Sequence, residues 1–117
     1  MIDKNIQKEI MKEALEKYGV EPQFSQLQEE CAELIVAVNK LRRKGLFKLD
    51  DNHIGDLIKY ITYNPHDSTI DDPIIDFYSE LADVEIMTQQ LKLMIDNKLF
   101  EEVKSKKLER LQSRLRG

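Results

Sequence analysis

Tryptophan is absent from this chain, cysteine occurs once, and there are only three prolines and four glycines in 117 residues. A lone Cys31 excludes an intrachain disulfide framework and fits a reducing, cytoplasmic setting. So little proline and glycine excludes a collagenous or linker-rich protein. No apolar run approaches the roughly 18 residues that suggest a transmembrane helix, so no membrane partner is expected. The first ten residues, MIDKNIQKEI, lack the apolar stretch of a secretory signal. No Walker A loop and no G-x-G-x-x-G occurs, so any phosphate binding must work through side chains and metal. Net charge is −4, which argues against nucleic acid as a partner.

What is present is helical in character. Hydrophobic residues make up 41% and charged residues 34% of the chain, enough for one core under a heavily charged skin. The expectation is a single all-α domain over residues 1–117. Four amphipathic stretches are predicted, at 3–18, 23–44, 73–96 and 98–116. Gly19 ends the first, Gly45 the second, and Asp71-Asp72-Pro73 caps the third. The predicted seam of the second helix is Leu27, Cys31, Leu34, Val38 and Leu41, with Cys31 a buried, inert thiol. That of the third is Ile74, Phe77, Leu81, Val84, Thr88, Leu91 and Ile95. Residues 46–71 form an irregular insert, with a short helix at Asp56–Tyr63 and a turn at Asn64–Ser68. Four helices joined by short links and one insert describe a helical bundle.

The chemistry lies in two strings, Glu29-Glu30-Cys31-Ala32-Glu33-Leu34 and Ser79-Glu80-Leu81-Ala82-Asp83-Val84. Residues three apart sit about 60° from one another on a helix, so each acidic pair shares one face. Glu30 and Glu33 flank the predicted seam of their helix at the same angles as Glu80 and Asp83 flank theirs. Packing the two seams together brings four carboxylates to the edge of the core. Their mutual repulsion raises their pKa values, and a hard divalent cation relieves it. Oxygen ligands without His or Cys suit Mg²⁺ or Mn²⁺ rather than zinc. The competing explanation is four ordinary surface acids on amphipathic helices.

The strings E-E-C-A-E-L at 29–34 and E-L-A-D-V at 80–84, in a short acidic helical chain, resemble the MazG-like nucleoside triphosphate pyrophosphohydrolases. The resemblance covers about residues 23–115, and its specific content is the two motifs and the basic last helix. It implies an all-α bundle that binds Mg²⁺ and hydrolyses a (deoxy)nucleoside triphosphate to the monophosphate and pyrophosphate, in the service of nucleotide-pool house-cleaning. Carried over by position, Glu30, Glu33, Glu80 and Asp83 would be metal ligands. It also points to a homo-oligomer, a dimer or tetramer, as do apolar residues such as Ile35 and Tyr78 off the seams. Glu29 and Glu30 are neighbours in sequence, and both are catalytic candidates: one would ligate while the other orients the attacking water as base. The interval between Glu33 and Glu80 is long for a compact member of this family. The 46–71 insert accounts for the excess and is a candidate for part of a base pocket; Phe24, Tyr60 and Tyr63 are candidates for stacking on the base.

Other constellations divide. Lys107, Arg110 and Arg114 repeat at steps of three and four along one face of the last helix. They suit triphosphate oxygens, or equally the negative end of the helix dipole. His53 and His66 belong to no Glu-x-x-His pair, which weighs against a di-iron centre. Asp50-Asp51-Asn52 opens like a calcium loop, but Ile61 stands where the bidentate acid is needed. The alternative to an enzyme is a non-catalytic helical interaction protein whose seams serve oligomerisation alone.

Overall fold

The computed structural model describes residues 1–43 and 73–117. Four α-helices run in the order α1 (Lys4–Tyr18), α2 (Val20–Arg43), α3 (Pro73–Leu91) and α4 (Asn97–Arg116), and no strand occurs among the described residues. The described residues are therefore all-α. The expectations placed on the 46–71 insert, on Tyr60, Tyr63, His53 and His66, and on Gly45 and Asp71-Asp72 fall outside the described residues.

Local chemistry sets the helix ends. Asp3 caps α1, its carboxylate accepting from the Ile6 N–H at 2.9 Å. Gly19 divides α1 from α2 with φ of +89°, a conformation costly for any residue with a Cβ, while its N–H still donates to the Leu15 carbonyl at 3.0 Å. Helix α2 starts at Val20 rather than at residue 23. Pro22 fits inside the first turn because its missing N–H has no partner to lose there. Helix α3 stops at Leu91, short of the expected 96. The Leu93 and Met94 N–H groups tighten onto the Gln90 and Leu91 carbonyls, and Asp96 turns its carboxylate to the Leu99 N–H at 3.1 Å as the cap of α4.

Helices α2 and α3 form the packed centre, with α1 laid against both. Gln23 meets Gln90, Glu30 meets Asp83, Glu33 meets Glu80 and Lys40 meets Asp76, so numbers rise along α2 as they fall along α3. That is an antiparallel pair. Among the described residues, Ala37, Leu41, Ile74 and Met87 are the buried apolar ones.

The inward line of each helix is turned away from the expected seam. On α2 it passes through Gln23, Leu27, Glu30, Leu34, Ala37 and Leu41, and Cys31 is exposed rather than buried. On α3 it passes through Ile74, Phe77, Glu80, Val84, Met87 and Leu91, while Leu81, Thr88 and Ile95 face water. The rotation brings Ala37 and Met87 inside, and it carries Glu30 and Glu80 inward with them. Helix α4, like α1, buries no residue. It is tied to the preceding turn by the Lys92 ammonium, 4.6 Å above the centre of the Phe100 ring, and by the Asn97 side-chain amide, which donates to the Lys92 carbonyl at 2.9 Å.

Candidate metal centre

The α2–α3 register decides what the four acids do. Because i and i+3 share a helical face and the helices run antiparallel, the pair Glu30 and Glu33 lies opposite Asp83 and Glu80. One carboxylate oxygen from each falls within 4.8 Å of one from every other. Glu30, Glu80 and Asp83 are half-buried between the helices, and Glu33 is exposed at the rim. The cluster thus has a closed inner wall and one open side.

Only part of this charge is satisfied. Glu30 Oε1 accepts from the Gln26 amide at 2.6 Å, a bond across one helical turn. The other oxygen of Glu30, and Oε2 of Glu80, are buried with no hydrogen-bond partner among the described residues. A buried carboxylate oxygen without a donor is expensive, of the order of 1–3 kcal/mol or more. Two such atoms within one cluster of four acids leave negative charge there without a donor.

The electrostatics agree. Glu33 holds its proton above the usual carboxylate range, chiefly because it shares a hydrogen bond with Glu80 and feels its charge. Burial and Asp83 add to the rise, and a hydrogen bond with Glu30 works against it. Asp83 is raised as well, first by burial and then by the charge and hydrogen bonding of Glu30. In neither case does a cation contribute among the described residues. The acids act on each other.

These residues fit a hard divalent cation. Mg²⁺ holds its oxygens at about 2.0–2.1 Å in an octahedron, which sets neighbouring ligands about 3 Å apart and opposite ones about 4 Å apart. A cluster spanning 4.8 Å needs only small side-chain movements to close on that shell. The donor set is all carboxylate, with no soft ligand to favour zinc or copper.

Of the residues singled out in the sequence, Glu30, Glu33, Glu80 and Asp83 come together. Glu29 does not join them: it is exposed and points about 100° around α2 from Glu30. Lys107, Arg110 and Arg114 are exposed on α4. Three glutamines escaped the sequence reading. Gln26 holds Glu30, and Gln23 with Gln90 forms a buried amide–amide bond between α2 and α3 about two turns from the acids. A spacing signal existed for Gln26, four residues before Glu30 and so on its face; the Gln23–Gln90 pair becomes visible only once the register is known.

No protein-family model matches the chain, and no curated protein or solved structure shows significant similarity to it. What the site can do is therefore argued from its own geometry.

Proposed function

We propose that the chain is a Mg²⁺-dependent nucleoside triphosphate pyrophosphohydrolase of MazG-like type, releasing pyrophosphate and a nucleoside monophosphate, with Mn²⁺ as a workable substitute. The observation that carries this reading is the pair of orphaned buried oxygens on Glu30 and Glu80, inside a cluster of four carboxylates. Surface acids that merely solvate a helix do not turn inward and go without donors.

Glu30, Glu33, Glu80 and Asp83 would hold the cation. Once bound, Mg²⁺ supplies the positive charge that offsets the phosphate oxygens during attack at the α-phosphorus. Gln26 fixes the orientation of Glu30, so that one oxygen is occupied and the other is left for the ion. Glu29 is assigned as the base that takes a proton from the attacking water. It is solvent-exposed and not itself committed to the cluster, which suits a group that must exchange protons with water. Lys107, Arg110 and Arg114 are assigned to the phosphate oxygens of the substrate, as two-pronged or point-charge partners. The open side of the cluster, at Glu33, is the approach for a triphosphate. The reading extends to a cytoplasmic homo-oligomer, dimer or tetramer, that acts on free nucleotides in pool house-cleaning rather than on nucleic acid. No described helix is long and apolar enough to cross a membrane.

The non-catalytic alternative draws on the many large apolar residues that remain exposed. It leaves the orphaned carboxylate oxygens unexplained. Incubating the purified chain with a panel of canonical and modified nucleoside triphosphates, with Mg²⁺ and with a chelator, decides between the two. Metal-dependent release of pyrophosphate from at least one nucleotide is the expected result; none from any would overturn the reading.

A further inference from the structure

Among the described residues, the buried polar side chains are two glutamines, Gln23 on α2 and Gln90 on α3. They bond to each other, the Gln90 amide donating to the side-chain carbonyl of Gln23. Glu30 follows Gln23 by seven residues and Asp83 precedes Gln90 by seven, while Glu33 and Glu80 each lie three residues further from the glutamine of their helix. In an antiparallel pair these equal intervals describe one register. The alignment that closes the amide bond is therefore the alignment that brings the four acids level.

Other forces choose that alignment only weakly. Leu27, Leu34 and Leu41 recur every seven residues on the inward line of α2, and Phe77, Val84 and Leu91 do so on α3. Sliding one helix past the other by seven residues sets apolar against apolar again. Such a slide shortens the overlap of the helices, which opposes it, and parts four like charges, which favours it while no cation is bound. The Lys40 ammonium and the Asp76 carboxylate bridge the helices at 3.9 Å, but both are nearly half exposed, and pairs of that kind contribute little. The amide bond responds differently. A slide in either direction carries one glutamine past the end of the facing helix: Gln90 comes level with Glu16, before α2 begins, or Gln23 with Asn97, after α3 has ended. The same slides set Glu33 level with Pro73 or Met87 instead of Glu80, and the cluster is lost.

We infer that Gln23 and Gln90 are positioning residues of the carboxylate site: their buried amide bond locks the register of α2 against α3, and so holds Glu30, Glu33, Glu80 and Asp83 level before a cation binds. A buried polar group fixes the register of helices whose apolar repeat allows more than one, at some cost in stability. An apolar pair of the same shape therefore keeps the fold and loses the alignment. These helices need such a lock more than most, because the repulsion among the acids acts against the alignment that a cation requires. The inference rests on the metal-site reading for the purpose that the lock serves; the lock itself is tested without metal or nucleotide.

The register can be measured directly. Nitroxide labels are placed on Cys31 and on the thiol introduced by Thr88→Cys, two exposed positions on the same side of the helix pair. Diluting the labelled chain with unlabelled chain lets pulsed electron paramagnetic resonance report distances within one molecule. Along the helix axis the two positions are about 9 Å apart in the native register, and a seven-residue slide makes that about 20 Å or nearly closes it. In chelator, the labelled chain with both glutamines should give one distance. Gln23→Met/Gln90→Met should keep its helical circular dichroism and melt no lower, yet show a second distance. Saturating Mg²⁺ should return that second population to the first, because the cation binds the native register alone. A second distance that Mg²⁺ leaves untouched upholds the lock and counts against the metal reading, so the two fail separately. A single unchanged distance in the double variant overturns the inference, whatever its melting temperature. So does a second distance already present with both glutamines intact. If the double variant does not fold, Gln23→Met alone is read by the same rule; if that fails to fold as well, the pair serves stability rather than register, and the inference falls.

Discussion

Helices α3 and α4 are close to equal in length, nineteen and twenty residues, and are joined by a turn of five. Each has a clear N-terminal signal, Pro73 in the first turn of one and Asp96 capping the other. Yet α3 is half of the packed centre, and α4 buries no residue at all. Composition separates them. Helix α3 carries Ile, Phe, Tyr, Leu, Val and Met with four acids and no base, whereas α4 spreads six large apolar residues among seven Lys and Arg and three Glu. Those six lie around about half of the α4 circumference, so no single narrow line is apolar enough to be drawn inward. A helical period shows that a segment can form a helix. It does not show that the helix finds a face to cover, and that depends on how densely apolar its best line is.

The two helices also stand for the two halves of the proposed site: α3 contributes acids that are fixed by packing, α4 contributes bases that no described residue fixes. The sharpest way to break this division is at Glu80. Glu80→Gln, and equally Glu30→Gln, should reduce Mg²⁺-dependent pyrophosphate release by about 100-fold or more, since even indirect supports of a metal site are worth about 10- to 100-fold. The same variants should melt no lower than wild type in chelator, because each removes a like charge from the cluster. Retained turnover would take that residue out of the site. A lowered melting point would mean that the carboxylate serves the fold.

A smaller effect, with a definite sign, tests whether the α3 side is strained without its cation. The raised pKa values of Glu33 and Asp83 mean that the metal-free folded chain binds protons more tightly than the unfolded one. Folded-state stability then falls as pH rises through the raised pKa values and is regained as pH drops toward the ordinary carboxylate range. The melting temperature in chelator should therefore climb from about pH 7 to about pH 5. Saturating Mg²⁺ binds the deprotonated acids, so it should stabilise most at the neutral end and narrow the difference. A metal-free melting temperature that falls on acidification would show that the acids do not strain one another.

The same contrast explains which parts were legible in the sequence. The four helices follow from apolar period, Gly19, Pro73 and the low glycine content, and the four clustering acids follow from the matched spacing of the two motifs. The rotation of α2 and α3 was not legible. A reading that sends polar residues outward favours Cys31 and Leu81 for the interior and leaves Glu30 and Glu80 at the edge. The structure does the reverse, because the line that holds Leu34, Ala37, Leu41, Val84 and Met87 also holds the acids. Local rules fail where charge lies on the inward line, as it does at Glu30 and Glu80. The end of α3 was missed for a simpler reason. Ile95 continues the apolar period, but the Asp96 side chain is worth more as a cap to α4 than as one more residue of α3.

The smallest predicted effect lies on α4, at Arg110. If the basic side of the division contacts phosphate, Arg110→Ala should raise KM for the nucleotide while leaving kcat and the Mg²⁺ dependence nearly unchanged. The magnitude follows from exposure: ion pairs made in water are worth up to about 1 kcal/mol, or about a fivefold change in KM. Arg110 is the informative position because the rival explanation is weak there. The helix dipole is felt within the last turn, where Arg114 and Arg116 sit, and Arg110 stands further back. Replacing Arg114 would mix a lost phosphate contact with a lost favourable charge at the helix end. Arg110→Ala has no such second effect, and Ala is the better helix former, so the melting temperature should hold. Raising the ionic strength should weaken nucleotide binding to wild type more than to the variant, as expected for an exposed charge pair. Steady-state kinetics at two salt concentrations test both statements. An Arg110→Ala enzyme with unchanged KM would leave α4 with no part in phosphate binding through this residue, and the acids of α2 and α3 as the whole of the site.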